Sequence, residues 1–93
     1  VLDAPDGYVR GVAKRVQAAG GLFVADEVQS GFGRTGTSLW GYMHHGVVPD
    51  MVTIGKPAGN GHPIGAVILR RELLDAFNDQ FSFFSTFGGN NVS

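Results

Sequence analysis

The fold is decided by two stretches of sequence, LFVADEVQ (residues 22–29) and DMVTIGK (residues 50–56). Each contains an apolar run with β-branched residues and is bounded by glycine, a pattern typical of a buried β-strand. A charged residue closely follows each run: Asp26 follows the first and Lys56 the second. If the two strands are parallel neighbours, their carboxyl ends open on the same edge of the sheet, where α/β proteins bind ligands. We therefore expect an acid and an amine to face one crevice.

The flanking sequence predicts helices around these strands. Apolar residues recur at three- and four-residue spacing from Tyr8 to Ala19, which indicates an amphipathic helix that Gly20 and Gly21 end. Helix, turn and buried strand form half of a βαβ unit, so the predicted fold class is α/β. The remaining predicted elements are a short helix over 38–45, a strand over 51–54, a loop over 55–63, a strand over 64–69, a short helix over 71–77 and a mostly irregular tail over 81–93.

The composition excludes several classes of partner and site. Seven Lys and Arg against eight Asp and Glu give a net charge of −1 with no basic block, which argues against nucleic acid and anionic membrane surfaces. No cysteine is present, and the three histidines complete no metal-ligand pattern, so we predict neither a disulfide nor a metal site. The 93 residues contain no apolar run that could span a bilayer and no signal-peptide pattern, and we expect a cytoplasmic protein.

An acid and an amine in one crevice suit pyridoxal 5′-phosphate (PLP). This cofactor needs a lysine that holds its aldehyde as a Schiff base and a carboxylate that keeps its pyridine nitrogen protonated. The motifs around the pair resemble, in order and spacing, those of the class III (ω-type) aminotransferases. They are DEVQSGFGRTG at 26–36, PD at 49–50, GK at 55–56 and STFGGN at 85–90. The resemblance covers nearly all of this chain but only part of a whole family member.

The resemblance implies a fold and a set of residue roles. The fold would be the large domain of fold type I PLP-dependent transferases, a mainly parallel sheet flanked by helices, with an antiparallel strand at 64–69. Residues 1–93 would be an incomplete part of that PLP-binding domain. Lys56 would form the Schiff base and move a proton at the substrate α-carbon, and Asp26 would contact the pyridine nitrogen. Val28 would pack on the ring face, and Gln29 would bond the ring 3-hydroxyl.

The resemblance also implies an oligomer and a reaction. Thr86 would reach the cofactor phosphate of the neighbouring subunit, which implies a homodimer with shared active sites. The enzyme would move an amino group from an amine or amino acid to a 2-oxo acid or aldehyde. Class III relatives also include phospho-lyases and racemases, and Asp26 and Lys56 would serve those reactions equally.

Each of these residues has an ordinary alternative role. A lysine after an apolar strand is usually solvated, and Asp26 alone could be a helix N-cap or part of a surface salt bridge. Thr86 alone could belong to an ordinary turn. For Arg34 in the glycine-rich loop, a structural salt bridge and a substrate contact are equally open. Glu27 points away from Asp26 by strand alternation and is interpreted as structural.

Two alternatives of other functional classes stay open. Residues 31–36 spell G-x-G-x-x-G, the dinucleotide fingerprint, so an NAD(P)-dependent oxidoreductase competes, although the motif is weak by itself. A non-catalytic fragment is the third possibility, because the family's other cofactor contacts lie outside these residues. We accordingly expect the isolated chain to have little activity.

Overall fold

The computed structural model describes residues 3–93, which form two α-helices, three β-strands and two short 3₁₀ helices. In chain order these are α1 Tyr8–Ala18, β1 Val24–Asp26, a 3₁₀ helix Gly41–His45, β2 Met51–Ile54, a 3₁₀ helix Lys56–Gly59, β3 Ala66–Leu69 and α2 Arg71–Gln80. Helices alternate with strands that pair in one sheet, so the predicted α/β class is confirmed.

The sheet has the strand order β1-β2-β3. β1 and β2 run parallel, with Val24 opposite Met51 and Asp26 opposite Thr53. β2 and β3 run antiparallel, with Met51 opposite Leu69. The parallel pair places the carboxyl ends of the first two strands on one edge, and β3 has the antiparallel direction that the resemblance implies.

The first and third strands are shorter than the sequence predicts. β1 begins at Val24, although the preceding Phe23 carbonyl still accepts hydrogen bonds from the N–H groups of Asp50 and Met51. β3 begins at Ala66 rather than at residue 64, because Ala66 stands opposite Ile54, the last residue of β2. The apolar pattern therefore continues beyond the paired residues at both strand starts.

The helical segments also differ in extent. The short helix predicted over 38–45 is a 3₁₀ helix confined to Gly41–His45, because Trp40 has extended backbone angles (φ −121°, ψ 137°). The loop predicted over 55–63 contains a 3₁₀ turn at Lys56–Gly59, where Pro57 supplies the fixed φ that suits a first turn. α2 continues three residues past its predicted end, to Gln80.

Asp50 joins the elements at the opposite edge of the sheet from Lys56. Its buried Oδ2 accepts hydrogen bonds from the Phe23 N–H at 2.7 Å and from the Gln17 side-chain amide at 3.0 Å. Its Oδ1 forms an ion pair of 2.6 Å with Arg70. The Phe23 N–H bond is the main cause that lowers the pKa of this carboxyl below its ordinary value of 3.8, followed by the bond from Gln17.

Little apolar surface is buried in the part of the chain that the structure describes. The buried apolar residues there are Ala13, Ala25 and Val52. Val67 and Ile68, which are neighbours on β3 and therefore face opposite sides of the sheet, are 53% and 50% exposed. The Cα radius of gyration is 15.2 Å, whereas a compact domain of this length has about 12 Å. β3 thus lacks, on both sides, the covering layers that the sheets of α/β proteins normally have.

Candidate active site

The carboxyl ends of β1 and β2 form the edge that carries the predicted catalytic pair. Asp26 is the last residue of β1 and stands opposite Thr53. Lys56 follows β2 after Gly55 and opens the 3₁₀ turn Lys56–Gly59. The parallel register therefore brings both residues to one edge of the sheet, as the two strand ends predict.

The Asp26 carboxylate is held by two donors from its own chain. Its Oδ1 accepts the backbone N–H of Val28 at 3.1 Å and the hydroxyl of Thr53 at 3.2 Å. The bond to the residue two positions ahead is an Asx-turn, which reverses the chain directly after β1. Asp26 has no ion pair among residues 3–93, so the salt-bridge alternative finds no support there.

Glu27 is buried, in agreement with its interpretation as a structural residue. Its side chain is 2% exposed and accepts hydrogen bonds from the Ser30 hydroxyl at 2.8 Å, the Gly41 N–H at 2.9 Å and the Tyr42 N–H at 2.8 Å. These bonds fix the glycine-rich loop and the start of the 3₁₀ helix to the end of β1. The strand alternation that exposes Asp26 thus buries Glu27 as an anchor.

Lys56 and Gln29 line one cavity of about 420 Å³, together with Arg34, Pro57, Asn60 and Gly61. The structure therefore brings together two predicted cofactor contacts and the loop arginine. Asp26 lines a different cleft, of about 350 Å³, so the acid and the amine share one edge of the sheet but do not face one crevice as expected. Asn60 is a contributor that the sequence did not single out. The available signal was an asparagine between two glycines, a residue type that tolerates the left-handed backbone found here (φ 46°).

Val28 lies beside the end of β2, next to the predicted catalytic lysine. A Cβ placed on Gly55 would lie 3.2 Å from Val28 Cγ1, which is closer than an ordinary contact. Any residue other than glycine at position 55 would therefore require the Val28 side chain to shift. Val28 lies beyond β1, because the strand ends at Asp26 and the chain turns there. The side chain nevertheless stays beside the residue that precedes Lys56.

Thr86 lies apart from this cavity. It is exposed in the segment 81–93, which contains no helix or strand, as predicted. This tail is tied to the loop beyond Lys56 by a 2.9 Å hydrogen bond between His62 Nε2 and Ser93 Oγ. The structure of a single chain leaves the expected role of Thr86 in a neighbouring subunit a prediction.

The glycine-rich loop lacks the geometry of a dinucleotide fingerprint. That motif requires a helix that starts at the glycines and presents its N-terminus to the pyrophosphate. Here residues 31–36 turn through left-handed conformations at Phe32 (φ 59°), Gly33 (φ 77°) and Gly36 (φ 90°), and the next helical segment is the 3₁₀ helix Gly41–His45. The oxidoreductase alternative therefore loses its structural basis.

The histidines form local contacts. His44 is bonded to the hydroxyls of Thr35 and Thr37, with distances of 3.0 to 3.1 Å. Within residues 3–93, no cluster of three or more His, Cys, Asp or Glu side chains could hold a metal ion.

Comparisons with known proteins agree with this geometry. The model of the class-III aminotransferase family matches residues 1–93. The chain belongs to the class-III aminotransferase family. It is 50% identical over 93 residues to alanine–glyoxylate aminotransferase 2 homolog 2, mitochondrial, of Arabidopsis thaliana. The matched region is 100% of this chain but 19% of that protein.

Solved structures of family members have the same local fold. A phospholyase from Arthrobacter in complex with phosphoethanolamine is 62% identical with a TM-score of 0.85, over 92% of this chain and 20% of that one. An S-selective transaminase from an Arthrobacter species is 38% identical with a TM-score of 0.80, over 89% of this chain and 18% of that one. The chain thus spans about a fifth of the length of the proteins it matches.

Proposed function

We propose that this chain contributes the catalytic lysine and the ring-nitrogen carboxylate of a PLP-dependent aminotransferase. The observation that carries the proposal is the parallel pairing of β1 with β2, which puts Asp26 and Lys56 on one edge of the sheet. Membership of the class-III aminotransferase family supports it. Neither residue has an ionic partner among residues 3–93, so both charges are available to a ligand.

The groups at this edge fit PLP. Asp26 Oδ2 makes no hydrogen bond within residues 3–93, which leaves this oxygen for a protonated pyridine nitrogen. Lys56 offers a primary amine and Gln29 a side-chain amide in the same cavity, as an aldehyde and a ring hydroxyl require. When bound, PLP supplies the electron sink that stabilises negative charge at the substrate α-carbon.

The chain's own residues then have distinct tasks. Lys56 would hold the cofactor through its side-chain amine, and the same amine, when free, would take the proton from the substrate α-carbon. Asp26 keeps the pyridine nitrogen protonated, Val28 packs against the ring face and Gln29 bonds the ring hydroxyl. Thr86 binds the cofactor phosphate in the site of a partner subunit, and the enzyme is a homodimer with shared sites.

The substrates in this proposal are an amine or amino acid as donor and a 2-oxo acid or aldehyde as acceptor. The names of the relatives support this class, since they include an alanine–glyoxylate aminotransferase and an S-selective transaminase. The donor and the acceptor occupy the same site in turn, because one lysine and one cofactor serve both half-reactions.

Residues 1–93 act as part of a larger PLP-binding domain in this account. The match to only about a fifth of each relative supports this, as does the exposure of β3 on both sides of the sheet. A chain that buries so little apolar surface has little free energy available to order an active site by itself. The isolated chain is therefore expected to show no appreciable turnover.

A phospho-lyase is the second candidate, and two observations favour it. The 62% identity to the Arthrobacter phospholyase exceeds the 38% identity to the transaminase structure. In addition, Arg34 shares the cavity of Lys56 and has no ionic partner among residues 3–93. A guanidinium in this position suits a substrate that carries a phosphate group.

One experiment separates the two functions. The full-length protein that contains this chain is loaded with PLP and incubated with a panel of amines and 2-oxo acids, and separately with phosphoethanolamine. Amino transfer that needs the oxo acid supports the aminotransferase, whereas release of inorganic phosphate without any oxo acid supports the lyase. Lys56→Ala must abolish either reaction, and a loaded protein that performs neither contradicts both.

The cytoplasmic location expected from the sequence stays a prediction. No helix within residues 3–93 is long and apolar enough to cross a membrane. The name of the Arabidopsis relative places that protein in mitochondria. Fractionation of cells that express the full-length protein with a C-terminal tag tests the location.

A further inference from the structure

Thr53 is tied to the end of β1 at two points. Its backbone carbonyl accepts the N–H of Glu27 at 2.9 Å, and its hydroxyl donates to Asp26 Oδ1 at 3.2 Å. The parallel register that sets Asp26 opposite Thr53 brings the hydroxyl to this position. No other side chain among residues 3–93 donates a hydrogen bond to the Asp26 carboxylate.

The second donor to Asp26 Oδ1 is the backbone N–H of Val28 at 3.1 Å. That bond alone leaves the carboxylate free to rotate about the axis of the bond. A hydroxyl from the adjacent strand adds a second direction, and two donors on one oxygen define the plane of the carboxylate. Threonine is suited to this task because its branched Cβ restricts the χ1 angle that aims the hydroxyl.

We propose that Thr53 is a positioning residue that holds Asp26 Oδ1 and thereby presents Oδ2 to the pyridine nitrogen of the cofactor. The inference rests on the proposed PLP function and adds a residue that contacts Asp26 rather than the substrate. Because Thr53 already orients the Asp26 side chain, this side chain loses less conformational freedom when the cofactor binds.

Three variants of the full-length protein test this role. Thr53→Val keeps the branched shape and removes the hydroxyl, and Thr53→Ser keeps the hydroxyl and removes the methyl group. Thr37→Val is the matched control, since the Thr37 hydroxyl bonds His44 on an exposed loop. The first measurement is the dissociation constant of PLP from the apoprotein, and the second is the absorption spectrum of the loaded protein against pH.

Thr53→Val is expected to weaken PLP binding about fivefold, which corresponds to the loss of one hydrogen bond of ordinary net strength. Its spectrum should change with pH differently from that of the wild type, because the carboxylate at the ring nitrogen is less well held. Thr53→Ser is expected to restore both properties, and Thr37→Val to change neither. The thermal unfolding temperature of the apoprotein should respond equally to Thr53→Val and Thr37→Val, which separates positioning from stability.

Wild-type affinity and spectrum in Thr53→Val would overturn the inference. An equal loss in Thr53→Ser would overturn it as well, because packing rather than the hydroxyl would then be responsible. If Thr53→Val does not fold, Thr53→Cys replaces it, and its weaker thiol donor should give a smaller loss of the same kind. Failure of the proposed function is distinguishable, since the wild-type protein would then take up no PLP on Lys56.

Discussion

Arg70, the residue before α2, pairs through its guanidinium with the carboxylate of Asp50, the residue before β2, at 2.6 Å. The same carboxylate accepts the Phe23 N–H that precedes β1 and the amide of Gln17 from α1. Side chains far apart in sequence thus meet at the edge opposite the site. The alignment of β1 with β2, on which the proposed site depends, is anchored here.

Stability should depend on the ionisation of Asp50. Its pKa is lowered in the folded state, chiefly by the Phe23 N–H, so the stabilisation is present above the ordinary value of 3.8 and is lost as the pH falls through the lower folded value. We expect Asp50→Asn to lower the unfolding temperature of the full-length protein at neutral pH and to flatten its decline below pH 3.8. Asp75→Asn, at an exposed helix pair, is the control. Parallel acid profiles of wild type and Asp50→Asn would contradict this role.

Glu27→Gln should loosen the glycine-rich loop. Glu27 accepts three hydrogen bonds, and an amide in its place turns an NH₂ group towards at least one donor. A buried donor without a partner costs about 1–3 kcal/mol, and we expect the Gly41 and Tyr42 amides to exchange with deuterium about tenfold faster or more. Exposed Glu72 supplies the control variant Glu72→Gln. Unchanged exchange at both amides would show that Glu27 does not hold the loop.

Gly31→Ala should destabilise the protein through a steric clash. A Cβ at this position would lie 2.9 Å from the Glu27 carbonyl oxygen and 2.9 Å from the Trp40 ring. Overpacking of this kind costs about 1–3 kcal/mol. Gly65→Ala is the matched control, since its Cβ would be 3.9 Å from its nearest neighbour, the Ile54 carbonyl oxygen. The comparison is made by thermal unfolding, and equal shifts for the two variants would refute the clash.

Arg34→Gln should affect substrates according to their charge. We expect the KM for phosphoethanolamine or for a 2-oxo acid to rise about tenfold, because one charge-assisted hydrogen bond is lost in a solvent-accessible cavity. The KM for an amine donor that carries neither a carboxylate nor a phosphate group should stay the same. Arg71→Gln, which removes a helix surface pair, is the control. Equal KM values for charged substrates in Arg34→Gln and wild type would assign Arg34 another task.

The predictable part of this fold was local or followed from one geometric rule. The ends of two apolar strands gave Asp26 and Lys56, and parallel pairing then required a common edge. The same reasoning could have found Thr53, since aligning VAD (24–26) with MVT (51–53) sets it opposite Asp26. Strand alternation likewise separated exposed Asp26 from buried Glu27.

The unpredicted part depends on contacts that sequence periodicity does not encode. Asp50 is hydrogen-bonded to Phe23, which lies 27 positions before it in the sequence, and to Gln17, which lies 33 positions before it. The turn at Val28 arises from an Asx bond of Asp26, a local contact that the apolar pattern of the strand does not predict. The expected position of Thr86 depends on a second subunit, and no pattern within one chain could test it.

The central claim is tested most directly at Lys56. The full-length protein is incubated with PLP, reduced with borohydride, digested and mapped by mass spectrometry, with Lys56→Ala and Lys14→Ala treated in parallel. We expect a pyridoxyl group on Lys56 in the wild type and in Lys14→Ala, and none at this position in Lys56→Ala. A folded, PLP-saturated wild-type protein without an adduct on Lys56 would contradict the account.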